Sequence, residues 1–386
     1  MTHVFVVDKN TFKYHLEYLF AGTGAKDKQA QFLSSPKMTN YNASTERNLV
    51  GMIADISKIR VGDNIVFYLQ ASKGKPGAFF GVFRAKTRAF FDENNKDNYL
   101  LEELGKGLTF RIEIEPKEVY AEGVTEHEYL DSLDGKSHPY ELCWSLIYRK
   151  LKGNRGCTMI TDYEFEDLFK KLKNKNGNKS LDANAFTFCE KTYKIEENSK
   201  SHKYEKDKDD INILSRLVYK FSKNNAFETH LQAYILQNFE NIPQLMNITH
   251  SKGALWIGNE VSCGVGMQRI DIMIINESNN KMSIQVIELK YVEPESYIIR
   301  DQIPWYIKWV DQYIAPNYNK KEVEIKPIII AAKFDKESKK KKEFYNEKGK
   351  LNSYLPKGIK STVLNPDYIS FDIDTTDESI SFNIEP

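Results

Sequence analysis

Asp271, Glu288 and Lys290 are charged residues set inside two apolar runs, Gln268-Arg269-Ile270-Asp271-Ile272-Met273-Ile274-Ile275 and Ile284-Gln285-Val286-Ile287-Glu288-Leu289-Lys290-Tyr291. A carboxylate buried in such a run costs several kcal/mol unless a cation or a metal compensates it. Two carboxylates brought together by a hairpin form a place for a divalent cation. A lysine two residues further on can orient a water and stabilise negative charge as it develops. The chemistry this predicts is phosphodiester hydrolysis. The bland alternative is a Glu288–Lys290 ion pair on an edge strand facing water, worth about 0–1 kcal/mol.

The elements around these residues follow from periodicity. The two runs are rich in β-branched residues and are separated by Asn276-Glu277-Ser278-Asn279-Asn280-Lys281, so they read as an antiparallel hairpin. Side chains alternate faces along a strand, which puts Glu288 and Lys290 on one face. Upstream, residues 211–221 and 227–239 read as two helices split by Ser222-Lys223-Asn224-Asn225. Leu231, Tyr234, Ile235 and Phe239 give the second an apolar stripe. Glu228 lies in its first turn, where the helix dipole alone favours an acid. A strand is expected around 255–261, and downstream a helix through 307–315. Residues 324–332, with Ile328-Ile329-Ile330-Ala331-Ala332, suit a buried strand. Lys339-Lys340-Lys341-Lys342, within 336–350, are a DNA-backbone contact or a solvated helix face. Residues 368–384 form a last alternating strand or two.

The chain has 386 residues, of which 41% are hydrophobic and 28% charged, so two domains are expected rather than one core. A net charge of +1 excludes a uniformly basic nucleic-acid binder but not a basic groove on a balanced surface. Cys143, Cys157, Cys189 and Cys263 show no CxxC spacing and no zinc-ligand pattern, which favours a reducing cytoplasm over a disulfide framework. No apolar run reaches the ~20 residues that span a bilayer, so no membrane partner is expected. Met1-Thr2-His3-Val4-Phe5-Val6-Val7, soon followed by Asp8 and Lys9, reads as a first strand, not a signal peptide.

The N-terminal half continues with an ambiguous helix-or-loop pattern over 10–20, a long polar loop over 21–45, and a helix over 47–59. A Gly62-Asp63 turn feeds Ile65-Val66-Phe67-Tyr68-Leu69, and Ala78-Phe79-Phe80-Gly81-Val82-Phe83-Arg84-Ala85 follows as a strand with Gly81 at a bulge or close approach. A third strand is expected over 108–119. Thr161 and Glu164 have the spacing of a helix capping box. Residues 170–210 are rich in Lys, Asn, Glu, Asp and Ser, with one apolar island at Ala185-Phe186-Thr187-Phe188. Such composition predicts an exposed connection.

Arg60-Val61-Gly62-Asp63 into Ile65-Val66-Phe67-Tyr68, then Phe79-Phe80-Gly81-Val82-Phe83, then Ile160-Thr161-Asp162-Tyr163-Glu164-Phe165, is an order that resembles the PUA-like superfamily, within it the EVE and YTH group. The resemblance covers roughly the first 175 residues. It implies a small β-barrel with helices that accepts a nucleobase, often a modified one, in an aromatic pocket. A flipped base needs stacking partners for its faces and hydrogen bonds for its edge. The candidate walls are Tyr41, Tyr68, Phe79, Phe80 and Trp144, and the candidate polar readers are Asn42, Asn48 and Ser145. Each aromatic has a competing reading as core.

In the C-terminal half, a helix with Glu228, a strand, a strand with Asp271 and a strand with Glu288-x-Lys290 resemble the PD-(D/E)XK nuclease superfamily. Gln302 and Tyr306 in Asp301-Gln302-Ile303-Pro304-Trp305-Tyr306 match the Q-x-x-x-Y spacing of its RecB-like and NucS-like branches. The resemblance implies a restriction-endonuclease-like α/β core with a central mixed sheet. It also implies a catalytic set of Glu228, Asp271, Glu288 and Lys290 and a requirement for Mg²⁺, with Mn²⁺ substituting. Asp271, Glu288 and the Leu289 backbone carbonyl would hold the metal, with Glu228 acting through water or on a second metal. Gln302 and Tyr306 would position a phosphate or pack behind Lys290. His230 reads as a phosphate contact or a helix-surface histidine, Arg269 and Glu260 as surface or supporting groups, and Tyr291 as packing.

The expectation is thus a mixed α/β and α+β protein with a recognition domain over 1–175, a charged linker over 176–210 and a nuclease domain over 211–386. Its expected activity is that of a restriction-type, Mg²⁺-dependent DNA endonuclease, directed at modified bases and acting on double-stranded DNA as a homodimer. The alternatives are a NucS-like repair or mismatch endonuclease, and a non-catalytic nucleic-acid reader with a vestigial nuclease fold.

Overall fold

The computed structural model of the chain describes all residues except 25–42, 73, 93–96, 148–155, 201, 250–253, 265–267, 279 and 319–320. Helices and strands are mixed throughout, and the chain divides into two units, each with its own sheet. The first comprises Met1–Lys136 and Leu142–Asn212, the second Ser137–Glu141 and Ile213–Pro386.

In the first unit, β1 (Thr2–Val7) leads into α1 (Lys9–Glu17). The start of α1 is set by Asp8, whose Oδ1 accepts from Asn10 N at 2.9 Å and Thr11 N at 3.0 Å. This settles the ambiguous stretch after Asp8 as helix. There follow β2 (Phe20–Thr23), α2 (Ala43–Ser57), β3 (Asn64–Leu69), β4 (Ala78–Ala85), β5 (Phe90–Phe91), α3 (Leu101–Leu104), β6 (Phe110–Pro116), β7 (Val124–Thr125), α4 (Trp144–Ile147), β8 (Cys157–Ile160) and α5 (Asp162–Lys175). The strands join in the order β2-β6-β4-β3-β1-β8, with β5 on β6 and β7 on β4. β1 and β3 are parallel. β6 pairs with β2 and β5 near its start and with β4 near its end, so the sheet turns a corner along this strand. At Gly81 a Cβ would lie 3.3 Å from the Ile65 carbonyl oxygen, where the β3–β4 register shifts between Ile65 and Phe67. Glu164 reaches back from the first turn of α5 to accept from Thr161 N at 2.7 Å.

The segment expected to be an exposed linker is part of this unit. β9 (Phe186–Cys189) and β10 (Lys194–Glu197) form a hairpin whose Phe186, Phe188 and Ile195 are buried. Phe188 packs on Phe12 of α1 with ring centroids 4.9 Å apart, and Thr187 Oγ1 donates to Glu17 Oε1 at 2.7 Å. Further on, Tyr204 donates to Asp92, and Lys206 Nζ lies 2.5 Å from the same carboxylate. Asp92 in turn pairs at 3.0 Å with the fully buried Arg111. A few apolar side chains in alternation, with charged neighbours that find partners, offset the ordering entropy that average composition argues against.

His15 of α1 is buried between Phe20 and Phe67, with its Nδ1 3.0 Å from the Phe20 carbonyl oxygen. A carbonyl only accepts, so Nδ1 carries the proton of a neutral ring. Burial lowers its pKa to about 3, against 6.5 for the ordinary imidazole. The unfolded chain therefore takes up a proton below about 6.5 that the folded unit refuses until about 3. Stability from this group is complete above 6.5 and falls by about 1.4 kcal/mol per pH unit as pH drops toward 3. His15→Asn keeps a donor for Phe20 and removes the titration. Its thermal midpoint is expected to start lower but to fall less steeply between pH 7 and 5. Parallel wild-type and variant curves in that range would contradict the assignment.

The second unit opens with α6 (Leu214–Ser222), α7 (Glu228–Asn238) and α8 (Pro243–Thr249). β11 (Ala254–Ser262), β12 (Arg269–Glu277) and β13 (Lys281–Leu289) form an antiparallel meander. A turn of π-helix, Ile298–Gln302, runs into α9 (Ile303–Tyr313). Then come β14 (Glu322–Ala332), α10 (Lys339–Lys348), α11 (Leu351–Tyr354), β15 (Thr362–Val363), β16 (Asp367–Asp374) and β17 (Ser379–Glu385). The sheet order is β11-β12-β13-β14-β16-β17, with β15 also on β14. β14 is parallel to β13, β15 and β16, so the helical segments α9 and α10–α11 are crossovers between parallel strands. Pro327 is tolerated inside β14 because β15 pairs with Glu324 and Ile325 while β16 begins pairing at Ile328.

Among the described residues, no helix is long and apolar enough to cross a membrane.

Candidate active site

The β12–β13 ladder ends at Ile272 opposite Ile287, and the next facing pair in that register is Asp271 with Glu288. The two carboxylates thus fall just past the end of the ladder, close enough for the Glu288 charge to act on Asp271. The ladder on the other side of β12 breaks at the same level. Asn259 pairs with Ile272 and Val261 with Ile270, and Glu260 between them has φ +44°. An irregularity of this kind re-aims side chains. Asp271 Oδ2 accepts from Leu289 N at 2.7 Å, and its backbone carbonyl accepts from Gln232 Nε2 at 2.9 Å. Sequence reading passed over Gln232. Its signal was its place one helical turn after Glu228, which gives α7 two polar residues on one face.

Glu288 is only 1% exposed, and its carboxylate is held on both oxygens. Oε1 accepts from Lys290 Nζ at 2.5 Å and from Gln302 Nε2 at 2.7 Å, and Oε2 lies 3.0 Å from the Tyr306 hydroxyl. The single Tyr306 proton is shared between Glu288 Oε2 and the Arg269 carbonyl oxygen, 2.7 Å away. Gln302 Nε2 also reaches the Tyr306 hydroxyl at 2.6 Å. Gln302 and Tyr306, one turn apart at the start of α9, therefore brace Glu288. The expectation was that they position a phosphate or pack behind Lys290; the contacts they make are with Glu288, the carboxylate that carries Lys290. Leaving a buried acceptor short of a donor costs about 1–3 kcal/mol, and more when it is charged, so this brace stabilises the buried carboxylate.

Lys290 Nζ lies against three oxygens: Glu288 Oε1 at 2.5 Å, the Leu289 carbonyl at 2.9 Å and Glu228 Oε2 at 3.7 Å. The local count is three carboxylates to one ammonium. Burial, then the Glu288 charge, pushes Asp271 far above the ordinary carboxylate range. Burial also raises Glu228, with Glu288 adding to the rise and Lys290 opposing it. Burial alone would lower Lys290, but the Glu288 and Glu228 charges outweigh it and hold the ammonium above its usual value. Nearby, Cys263 is fully buried and its thiol is pushed up to about 12 by burial, with the Glu288 and Asp271 charges adding.

Among the described residues, no group of three His, Cys, Asp or Glu side chains is drawn together as a metal-ligand set. The donors that are present still fit a hard divalent cation, which takes one or two carboxylates and retains water. They are Asp271, Glu288 and the Leu289 carbonyl, with an excess of negative charge that a cation would relieve. The ammonium of Lys290 bridges two of these donors.

The remaining expectations divide. His230 is 4% exposed, so it is neither a helix-surface histidine nor a phosphate contact from the surface. Arg269 pairs with Glu260 at 2.7 Å, and Tyr291 packs on Phe227 with ring centroids 5.6 Å apart. Among the base-pocket candidates, Tyr68, Phe79 and Phe80 are wholly buried and belong to the core of the first unit. Tyr68 donates to Glu126 and packs on Phe79. Phe80 lies between Phe12 and Phe188, at centroid distances of 5.4 and 5.7 Å. The side of an aromatic ring satisfies a core as well as a base, and here the core has all three. Trp144 and Ser145 are half-buried in α4, with Ser145 N donating to Glu164 Oε1 at 2.9 Å, and Asn48 is half-buried in α2. Tyr41 and Asn42 lie outside the described residues.

No protein-family description and no curated protein matches the chain. Among solved structures it is similar to a hypothetical protein from Leishmania major, at 10% identity over 45% of this chain and 95% of that one, with a TM-score of 0.28. A protein from Pseudomonas syringae matches at 11% identity over 44% of this chain and 99% of that one, with a TM-score of 0.26. Human THYN1 protein, solved in complex with DNA containing 5-methylcytosine, matches at 11% identity over 45% and 97% of the two chains, with a TM-score of 0.24. Likenesses at this level assign no fold family.

Proposed function

We propose that the chain is a Mg²⁺-dependent DNA endonuclease whose phosphodiester-hydrolysing centre is Asp271, Glu288, Lys290 and Glu228. The observation that carries this reading is the cluster at the end of the β12–β13 ladder: Asp271 accepting from Leu289 N, and Glu288 carrying Lys290. A carboxylate pair flanked by a lysine is unfavourable as a mere core feature, and its excess negative charge suits a divalent cation. Asp271, Glu288 and the Leu289 carbonyl would hold Mg²⁺, with Mn²⁺ as a substitute. When bound, the metal supplies Lewis-acid stabilisation of charge on the phosphate.

The protein's own groups do the rest. Lys290, kept charged by Glu288 and Glu228, would donate to a non-bridging phosphate oxygen and stabilise the negative charge that develops there. Glu228 holds the ammonium from the helix side. Gln302 and Tyr306 fix the Glu288 rotamer, and Gln232 and Leu289 N fix Asp271. A preorganised arrangement of this kind acts without reorganisation cost at the moment of reaction.

The first unit, in this reading, is a PUA/EVE-like nucleic-acid module, supported by the order of its Gly62-Asp63 turn, its Phe79 to Phe83 strand and its Thr161-capped helix. With three pocket candidates in the core, a modified base would be read by Trp144, Asn48 and Ser145. Cutting both strands requires two centres, so the active form is a homodimer. The test is incubation of supercoiled plasmid, with and without 5-methylcytosine, in Mg²⁺ or EDTA. Nicking or linearisation in Mg²⁺ alone is expected, with preference for modified DNA. An intact plasmid under every metal and modification state would sink the nuclease reading, and equal cutting of both DNAs would remove the base reader.

A further inference from the structure

Five lysine side chains on the surface of the second unit have no hydrogen bond or ion pair to any described residue: Lys333, Lys336, Lys339, Lys341 and Lys342. All five are exposed, and they run from just past the end of β14 into the first turn of α10. Most lysines elsewhere in this unit are paired, for example Lys281 with Glu324, Lys321 with Glu277 and Lys326 with Asp367. The placement is unfavourable in the free protein. No acidic residue lies in the first turn of α10, where the helix dipole favours one and disfavours a cation. Lys339 and Lys342, three apart, add like-charge repulsion on one face.

The same patch is tied to the segment that leaves Lys290. Glu293, three residues on, accepts from Asp335 N and Ser338 Oγ, both at 2.7 Å. Glu295 pairs with Lys340 at 2.7 Å, and Ser296 Oγ donates to Glu343 Oε1 at 2.5 Å. A chain of three residues spans at most about 11 Å, so the Cα of Glu293, whose side chain holds the loop before α10, lies within that distance of the Lys290 Cα. Duplex DNA presents one phosphate charge per ~1.7 Å of its axis, so a phosphate at Lys290 brings several more within reach of the patch.

We propose that Lys333, Lys336, Lys339, Lys341 and Lys342 form the docking surface for the sugar–phosphate backbone of duplex DNA beside the cut phosphate. The patch gives affinity and register, not sequence preference. Its position relative to a cut phosphate rests on the nuclease reading; its binding of duplex DNA does not.

The experiment measures binding of a fluorescent duplex by the full-length protein in EDTA from 50 to 300 mM salt, together with plasmid cleavage in Mg²⁺. The variants replace Lys336, Lys339, Lys341 and Lys342 by Gln, or by Glu as a stronger second set. All four side chains are exposed, and circular dichroism checks the fold. The Gln set is expected to flatten the slope of log K against log salt by about 0.9 for each phosphate no longer neutralised, roughly 2–4 in all. It should weaken binding at 150 mM salt at least tenfold and raise KM for plasmid with kcat unchanged. Unchanged slope and affinity in both sets would overturn the proposal, as would preference of the wild type for single-stranded RNA over duplex DNA. Lysine-dependent duplex binding without any cleavage would uphold the docking surface and leave only the nuclease reading refuted.

Discussion

Asp271→Asn is expected to lower the rate of plasmid cleavage by on the order of 10²–10³ or more while leaving the protein as stable as the wild type, or more so. The two halves of this result come from one cause. Asp271 is half-buried opposite Glu288, and its charged form is disfavoured by burial and by that neighbour. Asparagine has the same shape, keeps an oxygen for Leu289 N, and carries no charge for Glu288 to repel. A residue present for packing would behave in the opposite way, with stability lost and no specific catalytic role. A thousandfold loss corresponds to about 4 kcal/mol of transition-state stabilisation. Single-turnover cleavage and thermal melting of the same preparation give both numbers. Cleavage within tenfold of wild type would remove Asp271 from the centre, and a large fall in melting temperature would assign it a structural role instead.

Lys290→Gln is expected to abolish cleavage and, at the same time, to tighten binding of Ca²⁺ or Mg²⁺ about tenfold. The ammonium lies on Glu288 Oε1 and on the Leu289 carbonyl, two of the donors a metal would use. It is an internal counter-cation, and an incoming metal must displace it or share its ligands. At 4 Å, two unit charges near a protein surface interact by about 4 kcal/mol, so even a strongly screened share of that repulsion is worth the 1.4 kcal/mol of a tenfold change. The variant also leaves Glu288 short of its cation, so its apo form melts below wild type and recovers on addition of Ca²⁺. Calorimetric titration with Ca²⁺ reads this without any catalysis. Equal or weaker metal binding in Lys290→Gln would mean that Lys290 does not compete for those donors.

The charged cluster was legible in the sequence because its charges interrupt apolar strands, where each one has to be accounted for. Asp271 and Glu288 could be placed on a hairpin from the β-branched runs and the polar turn between them. That they come together just past the end of the ladder depends on register and on the Glu260 irregularity, and neither leaves a periodic trace. Spacing put Gln302 and Tyr306 on one helix face but could not say what that face meets, and the partner turned out to be Glu288. Residues 176–210 were misread because a window of that size averages four-residue strands into their charged surroundings. Phe186, Phe188 and Ile195 were enough to dock the hairpin. Tyr68, Phe79 and Phe80 show a different limit. A base pocket and a core ask for the same rings, so residue type alone does not separate them.

Cys263 gives the site a property unrelated to hydrolysis. Thiol reagents react with the thiolate, and this thiol, buried and pushed up to about 12, is almost wholly protonated near neutral pH. Its backbone carbonyl is held at 2.7 Å by Trp305 Nε1, so the sulfur becomes reactive only when the strand end and the start of α9 come apart. The rate at which a thiol probe labels Cys263 is therefore a clock for local opening of this part of the second unit, independent of any substrate.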